Sequence, residues 1–168
     1  MSDVRAIFLT SLKYEPDVFQ VKAMNSIDAD ASVLVAAPTG SGKTLIAEYA
    51  IARARSLGLR AFYTTPIKAL SNQKYRDLQN LYGAHMVGLV TGDNAVNAEA
   101  PVVVMTTEVL RNMIYSQSSR LEDLGVVVLD EVHYLQDAFR GPVWEEVIIQ
   151  LDLEVQLVCL SATVSNAD

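Results

Sequence analysis

Residues 32–44, Ser32-Val33-Leu34-Val35-Ala36-Ala37-Pro38-Thr39-Gly40-Ser41-Gly42-Lys43-Thr44, join an apolar β-branched run to a glycine-rich turn that opens a helix-forming segment. The order strand, glycine loop, helix is what a phosphate cradle requires. Glycines let successive backbone N–H groups turn inward, and the helix that follows contributes the positive end of its dipole. In that reading Pro38, Thr39, Gly40, Ser41 and Gly42 form the loop, Lys43 reaches the outer phosphates, and the Thr44 hydroxyl faces Mg²⁺. The general spacing places Gly where this chain has Ala37, which is also small.

Working outward, apolar runs over 33–36, 61–64, 88–90, 102–105, 126–129 and 157–160 alternate with helix-forming stretches over 17–25, 44–57, 68–81, 108–115 and 143–151. Each run is close to continuous, as in strands covered on both faces of a parallel sheet. Gly58 follows the helix over 44–57 as a natural terminator. Repeated β-α units with right-handed crossovers predict an α/β fold: a doubly wound, mostly parallel sheet with helices on both faces. At 168 residues, without low-complexity tract or long linker, residues 1–168 read as one domain.

Composition narrows the class. No apolar run approaches the roughly 20 residues needed to cross a bilayer, so no membrane partner is expected. Cys159 stands alone, which excludes an internal disulfide and points to a reducing, cytoplasmic setting; its neighbours Leu157, Val158 and Leu160 make it a small core hydrophobe. Thirteen basic against twenty acidic residues give a net charge of −7, unlike a general nucleic-acid coat protein. The basic residues are uneven, however. Between Tyr49 and Arg76 there are Arg53, Arg55, Arg60, Lys68, Lys74 and Arg76, and no acid.

A second chemical cluster, Asp130-Glu131-Val132-His133, follows the run Val126-Val127-Val128-Leu129. Ligands of open parallel sheets bind at the carboxyl ends of strands, so these acids can face the glycine loop. Asp130 would then hold Mg²⁺ through its water shell, and Glu131 would orient the water that attacks the terminal phosphate. ATP with Mg²⁺ is the ligand this pairing predicts, and Lys43, Asp130 and Glu131 are its candidate catalytic residues.

Together, AAPTGSGKT, TTPIKALSNQKYRDL, GLVTGD, VVVMTTEVLRNMIY, VVLDEVHYLQD, RGPVWEE and LSAT resemble, in order, the blocks of the first RecA-like domain of superfamily 2 helicases, and most closely the DExH-box, Ski-type branch. The resemblance implies an ATP-dependent nucleic-acid motor acting on a single strand, RNA ahead of DNA. It implies an adenine-reading amide at Gln20 and a stacking aromatic at Tyr14, where the family has Pro-Phe-x-Leu and this chain has Lys13-Tyr14-Glu15-Pro16. Thr65, Pro66, Lys68 and Gln73, then Gly92 and Asp93, then Thr106, Thr107 and Arg111 would contact the sugar-phosphate backbone, a chemistry suited to N–H groups, hydroxyls and helix starts. Ser161 and Thr163 would couple that strand to the nucleotide, with His133 as partner. Trp144 is expected to pack on the sheet.

The resemblance also implies a second RecA-like domain that closes over ATP and supplies arginine fingers, so this stretch reads as the N-terminal motor piece of a longer helicase, nearly inactive alone. Other readings keep the loop but change the class. A phosphotransferase would need an acceptor-binding lid and leaves LSAT and TTPIKALSNQ without a purpose. A DNA helicase would share every motif. A catalytically idle, nucleotide-gated binding module would be expected to have lost Asp130 or Glu131, and both are present.

Overall fold

A computed structural model describes residues 3–133 and 141–163. The elements are α1 (Asp3–Ser11), α2 (Val18–Asp28), β1 (Val33–Ala37), α3 (Lys43–Ser56), β2 (Arg60–Thr65), α4 (Lys68–Tyr82), β3 (Val87–Val90), β4 (Ala95–Val96), β5 (Val102–Thr106), α5 (Thr107–Tyr115), β6 (Leu124–Leu129), α6 (Gly141–Gln150) and β7 (Gln156–Ala162). The strands form one seven-stranded sheet in the order β1-β7-β6-β2-β5-β3-β4. Every pairing is parallel except β3 with the two-residue β4.

The continuous apolar runs are explained by a sheet covered on both sides. In β6, Val126 and Val128 enter a core built with α2, α3 and α4, while Val127 and Leu129 point into a second core with Leu110, Met113, Trp144 and Val147. Successive strand residues face opposite ways, so a strand between two helical layers has no polar positions to spare. Trp144 is fully buried in the second core, as the sequence predicts. Cys159 is partly buried, and desolvation pushes its thiol up to about 11, which leaves it protonated and inert as a nucleophile.

Two features depart from the sequence reading. β1 does not lie between two strands; it is an edge strand that pairs only with β7, and Leu34 is 68% exposed. Its hydrophobic run is therefore half covered, with Val35 and Ala37 inward and Leu34 and Ala36 outward. The first residues form α1, which the sequence reading does not include: its apolar residues 6–9 are consecutive and do not recur at helical spacing, and none of its side chains is fully buried. It is held by tertiary contact instead: Phe8 meets Tyr49 with ring centroids 5.2 Å apart, and Arg5 donates to Asn25 at 2.8 Å and to Asp28 at 2.7 Å.

The parallel arrangement sends the carboxyl ends of β1, β7, β6, β2, β5 and β3 to one edge of the sheet. Every sequence-predicted site residue except Tyr14 and Gln20 lies in, or shortly after, one of these strand ends. Those on β1, β7 and β6 are the residues predicted for nucleotide and coupling, and those on or after β2, β5 and β3 the residues predicted for strand contact. The sheet order thus separates the two groups into adjoining halves.

Candidate functional site

The glycine loop leaves β1 at Ala37 and enters α3 at Lys43, with Gly40 at φ +82° and Gly42 at φ +91°. Those left-handed angles strain any residue with a Cβ, which is why glycine stands at both. Gly42 has a second reason: a Cβ there would lie 2.6 Å from the Gln20 amide nitrogen. That nitrogen donates to Gly42 O at 2.9 Å, and the Gln20 side-chain oxygen accepts from Asp17 N at 2.8 Å. Gln20 is 1% exposed, so in this arrangement its amide ties the start of α2 to the loop. Tyr14 lies exposed before α2.

Lys43 folds over the loop it follows, donating to Ala37 O at 2.5 Å and Pro38 O at 3.2 Å. Ser41 Oγ is buried without a hydrogen-bond partner among the described residues. A buried hydroxyl costs free energy unless it is paired, and its place inside a glycine loop fits a ligand that brings acceptors.

β6 delivers the acids to the same place. Asp130 N donates to Thr64 O at 3.0 Å, which continues the ladder one step beyond the strand. The chain then turns sharply: Glu131 has φ +59°, a left-handed angle that a residue with a long side chain adopts at a cost. The Asp130 carboxylate accepts from Tyr63 Oη at 2.5 Å on one oxygen and from Glu131 N at 2.8 Å on the other. Burial, and then the adjacent Asp130 carboxylate, hold the Tyr63 hydroxyl well above its ordinary pKa, so it remains a donor.

Thr39, Gly40, Gly42, Lys43 and Thr44 line one cavity of about 430 Å³ together with Asp130 and Glu131. The two motifs read separately in the sequence therefore share a wall. Thr44 and Asp130 present hard oxygen donors, the type Mg²⁺ selects. No cluster of three or more His, Cys, Asp or Glu suited to a metal occurs among the described residues, so a divalent ion here would depend on phosphate and water for its remaining ligands. Gln73, predicted from the resemblance as a strand contact, lines this cavity with Lys74, Asp77 and Thr65.

The backbone of the LSAT block makes hydrogen bonds toward both His133 and the root of the glycine loop. Ala162 N donates to His133 Nδ1 at 3.3 Å, and His133 Nε2 lies 3.0 Å from Glu131 Oε2. With Nδ1 accepting, the proton of a neutral ring sits on Nε2 and points at the carboxylate. The contact is made by the backbone between Ser161 and Thr163; Thr163 N in turn donates to Ala37 O at 3.2 Å, at the root of the glycine loop. β7 thereby touches both halves of the cavity.

The predicted strand-contact residues fall at neighbouring corners. Thr65 Oγ1 lies 2.7 Å from Ser71 Oγ and donates to Ile67 O at 2.9 Å, while Thr107 Oγ1 donates to Thr65 O at 3.2 Å. Both threonines are buried, and their hydroxyls brace the corners. Lys68 and Asp93 come together: Lys68 Nζ meets the two Asp93 oxygens at 2.8 and 2.6 Å, and the hydrogen bond from Lys68 holds the exposed Asp93 carboxyl below its ordinary pKa. Arg111 lies 3.6 Å from Glu146. Pro66 and Gly92 occupy bends beside them, and Thr106 ends β5 directly before α5. Arg140 and the end of the VVLDEVHYLQD block, 134–137, lie outside the described residues.

Sequence alone assigned no role at the site to Tyr63, nor to Lys74 and Asp77 within the TTPIKALSNQKYRDL block. Tyr63 sits in the middle of a strand that reads as plain core, and Lys74 and Asp77 are set on α4 by helical periodicity alone.

A parallel sheet with a glycine phosphate loop at its edge and paired acids across the cavity defines a P-loop nucleotide-binding domain of RecA-like architecture. Comparison with known proteins resolves the class further: the profile described as DEAD/DEAH box helicase matches residues 17–168, and the chain belongs to that family. It is 54% identical over 154 residues to Superkiller complex protein 2 of Homo sapiens, covering 92% of this chain and 12% of that protein. It is 53% identical over 158 residues to DExH-box ATP-dependent RNA helicase DExH15 chloroplastic of Arabidopsis thaliana, covering 90% of this chain and 14% of that protein. The Ski-type resemblance read from the motifs is thus matched by overall identity. Among solved structures, the helicase Lhr of Mycobacterium smegmatis bound to ssDNA and AMP-PNP superposes with a TM-score of 0.76 at 30% identity, covering 98% of this chain and 25% of that one. The chain spans less than a fifth of the length of these curated relatives.

Proposed function

We propose that this chain is the ATP-binding motor domain of an ATP-dependent helicase that acts on single-stranded nucleic acid, RNA in preference to DNA. The observation that carries the reading is the shared cavity: the glycine loop with Lys43 and Thr44 on one side, Asp130 and Glu131 on the other. In it the loop N–H groups and Lys43 take the phosphates of ATP, and Thr44 and Asp130 are the residues that would hold Mg²⁺, which when bound offsets phosphate charge. Glu131 orients and polarises the attacking water, and His133 holds Glu131 while reporting to β7 through Ala162 N. Tyr14 and Gln20 face the base; the Gln20 amide reaches it by exchanging one of its present partners, so base binding and loop geometry move together.

Thr65, Pro66, Lys68, Gln73, Gly92, Asp93, Thr106, Thr107 and Arg111 form the strand-facing half. Several backbone N–H groups at strand-to-helix corners suit phosphate contacts that carry no base sequence. Lys68 and Arg111 become available to phosphate by releasing Asp93 and Glu146, exposed exchanges of small energetic consequence. Ser161 and Thr163 couple the halves. RNA is favoured by the Arabidopsis relative, whose name describes an RNA helicase, while the mycobacterial structure with ssDNA keeps the second nucleic acid in view. A second RecA-like domain of the parent chain completes the cleft, and the domain alone turns ATP over slowly.

The test is the ATPase rate of the longer parent protein with single-stranded RNA and with single-stranded DNA of equal length. Stimulation by RNA at lower concentration than by DNA is the expected result. Stimulation by DNA alone reverses the substrate assignment, and a rate indifferent to both removes the motor reading.

A further inference from the structure

Behind Asp130, outside the residues that line the cavity, stands a side chain that the motifs do not name. Tyr63, in the middle of β2, is 1% exposed, and its hydroxyl lies 2.5 Å from Asp130 Oδ2. Lys74 of α4 places its ammonium 5.2 Å from the centroid of the same ring and lines the cavity with Lys43 and Asp130. A carboxylate on a single Cβ rotates readily about χ2 unless both oxygens are held. Here the second oxygen is held by Glu131 N at 2.8 Å, a bond internal to the turn, so the restraint from outside the turn is the Tyr63 hydroxyl.

We propose that Tyr63, backed by Lys74 on its ring face, is a positioning residue that fixes the Asp130 carboxylate so that its remaining lone pairs face the glycine loop, and thereby sets how strongly the nucleotide-bound chain holds Mg²⁺. The inference rests on the nucleotide reading above and assigns to it a residue outside the motifs. A cation over an aromatic face is attracted by the ring quadrupole, and the arrangement keeps the phenol ring in one place between α4 and β6. A hydrogen bond to a charged acceptor in a buried site is among the stronger single contacts a protein makes. A merely structural tyrosine would satisfy its own hydroxyl and affect folding; a positioning tyrosine affects the metal-dependent part of binding and leaves the metal-free part alone.

The experiment is calorimetric titration of ATP into the 168-residue chain, first in EDTA and then across a Mg²⁺ series, for wild type, Tyr63→Phe and Lys74→Gln. Tyr63→Phe is expected to raise the Mg²⁺ concentration at half-maximal effect by about tenfold, the scale of one hydrogen bond to a charged group, with ATP affinity in EDTA within about twofold of wild type. Lys74→Gln, which keeps the hydroxyl, is expected to give a smaller shift in the same direction and serves as the measure should Tyr63→Phe lose its thermal unfolding transition. A wild-type Mg²⁺ midpoint in a folded Tyr63→Phe, or in Lys74→Gln where only that variant folds, overturns the inference. Wild type that shows no Mg²⁺-linked ATP binding overturns the nucleotide reading itself, and the two failures are distinct.

Discussion

Glu131 concentrates the residue-scale argument. It stands at φ +59° with its carboxylate 3.0 Å from His133 Nε2, between the strand that carries Asp130 and the ring that reaches β7. A strained backbone retained at an acid facing a phosphate loop is the pattern expected where geometry serves chemistry. Glu131→Gln keeps the shape and removes the charge. In the parent enzyme it should leave ATP binding in place and lower turnover by about 10²–10⁴, the usual contribution of a positioned acid or base. A rate within twofold of wild type would take Glu131 out of the catalytic role. The Asp-Glu-x-His pattern was legible in the sequence because residues adjacent along the chain stay adjacent after a strand. The contact through Ala162 N was not, because a backbone donor carries no sequence signature.

Among the elements, β3 and β4 hold the most exacting packing. A Cβ on Gly88 would fall 2.1 Å from Asn97 O and 3.0 Å from Val96 O, so the antiparallel corner closes only over glycine. Gly88→Ala should destabilise the chain by about 1–3 kcal/mol or more through overpacking, measured as a lower urea midpoint with unchanged slope. An unchanged midpoint would mean that the corner is looser than the structure shows. Most of the remaining elements could be read from periodicity: the long α4 and the apolar β5 and β6 carry their own signals. β4 could not, being two residues long, and α1 owes its place to Arg5, Phe8 and their partners on α2 and α3. The apolar run of β1 resembles those of the central strands, yet β1 lies at the edge, since a run's hydrophobicity does not encode its place in the order.

Across the whole molecule, charge and topology divide the work. The acid-free segment between Tyr49 and Arg76 suggests a basic track, but folding disperses it. Arg53 pairs with Asp30 at 2.7 Å, Arg60 donates to the carbonyls of Ala98, Ala100 and Arg120, Arg55 lies over Tyr82, and Lys68 meets Asp93. What stays together is the carboxyl edge of the sheet, where strand order sets the residues proposed for the nucleotide, on β1, β7 and β6, beside those proposed for strand contact, on β2, β5 and β3. A linear charge count cannot reveal that, whereas ordered motifs at strand ends can. The account stands most directly on one affinity: Mg²⁺-ATP binding to this chain, wild type against Lys43→Ala, by calorimetry. Binding to wild type that weakens at least about tenfold in Lys43→Ala is the predicted result, because the phosphates lose a charged donor worth on the order of 1.5–3 kcal/mol. Equal affinity in the two proteins would contradict the claim that the glycine loop and the paired acids form one nucleotide site.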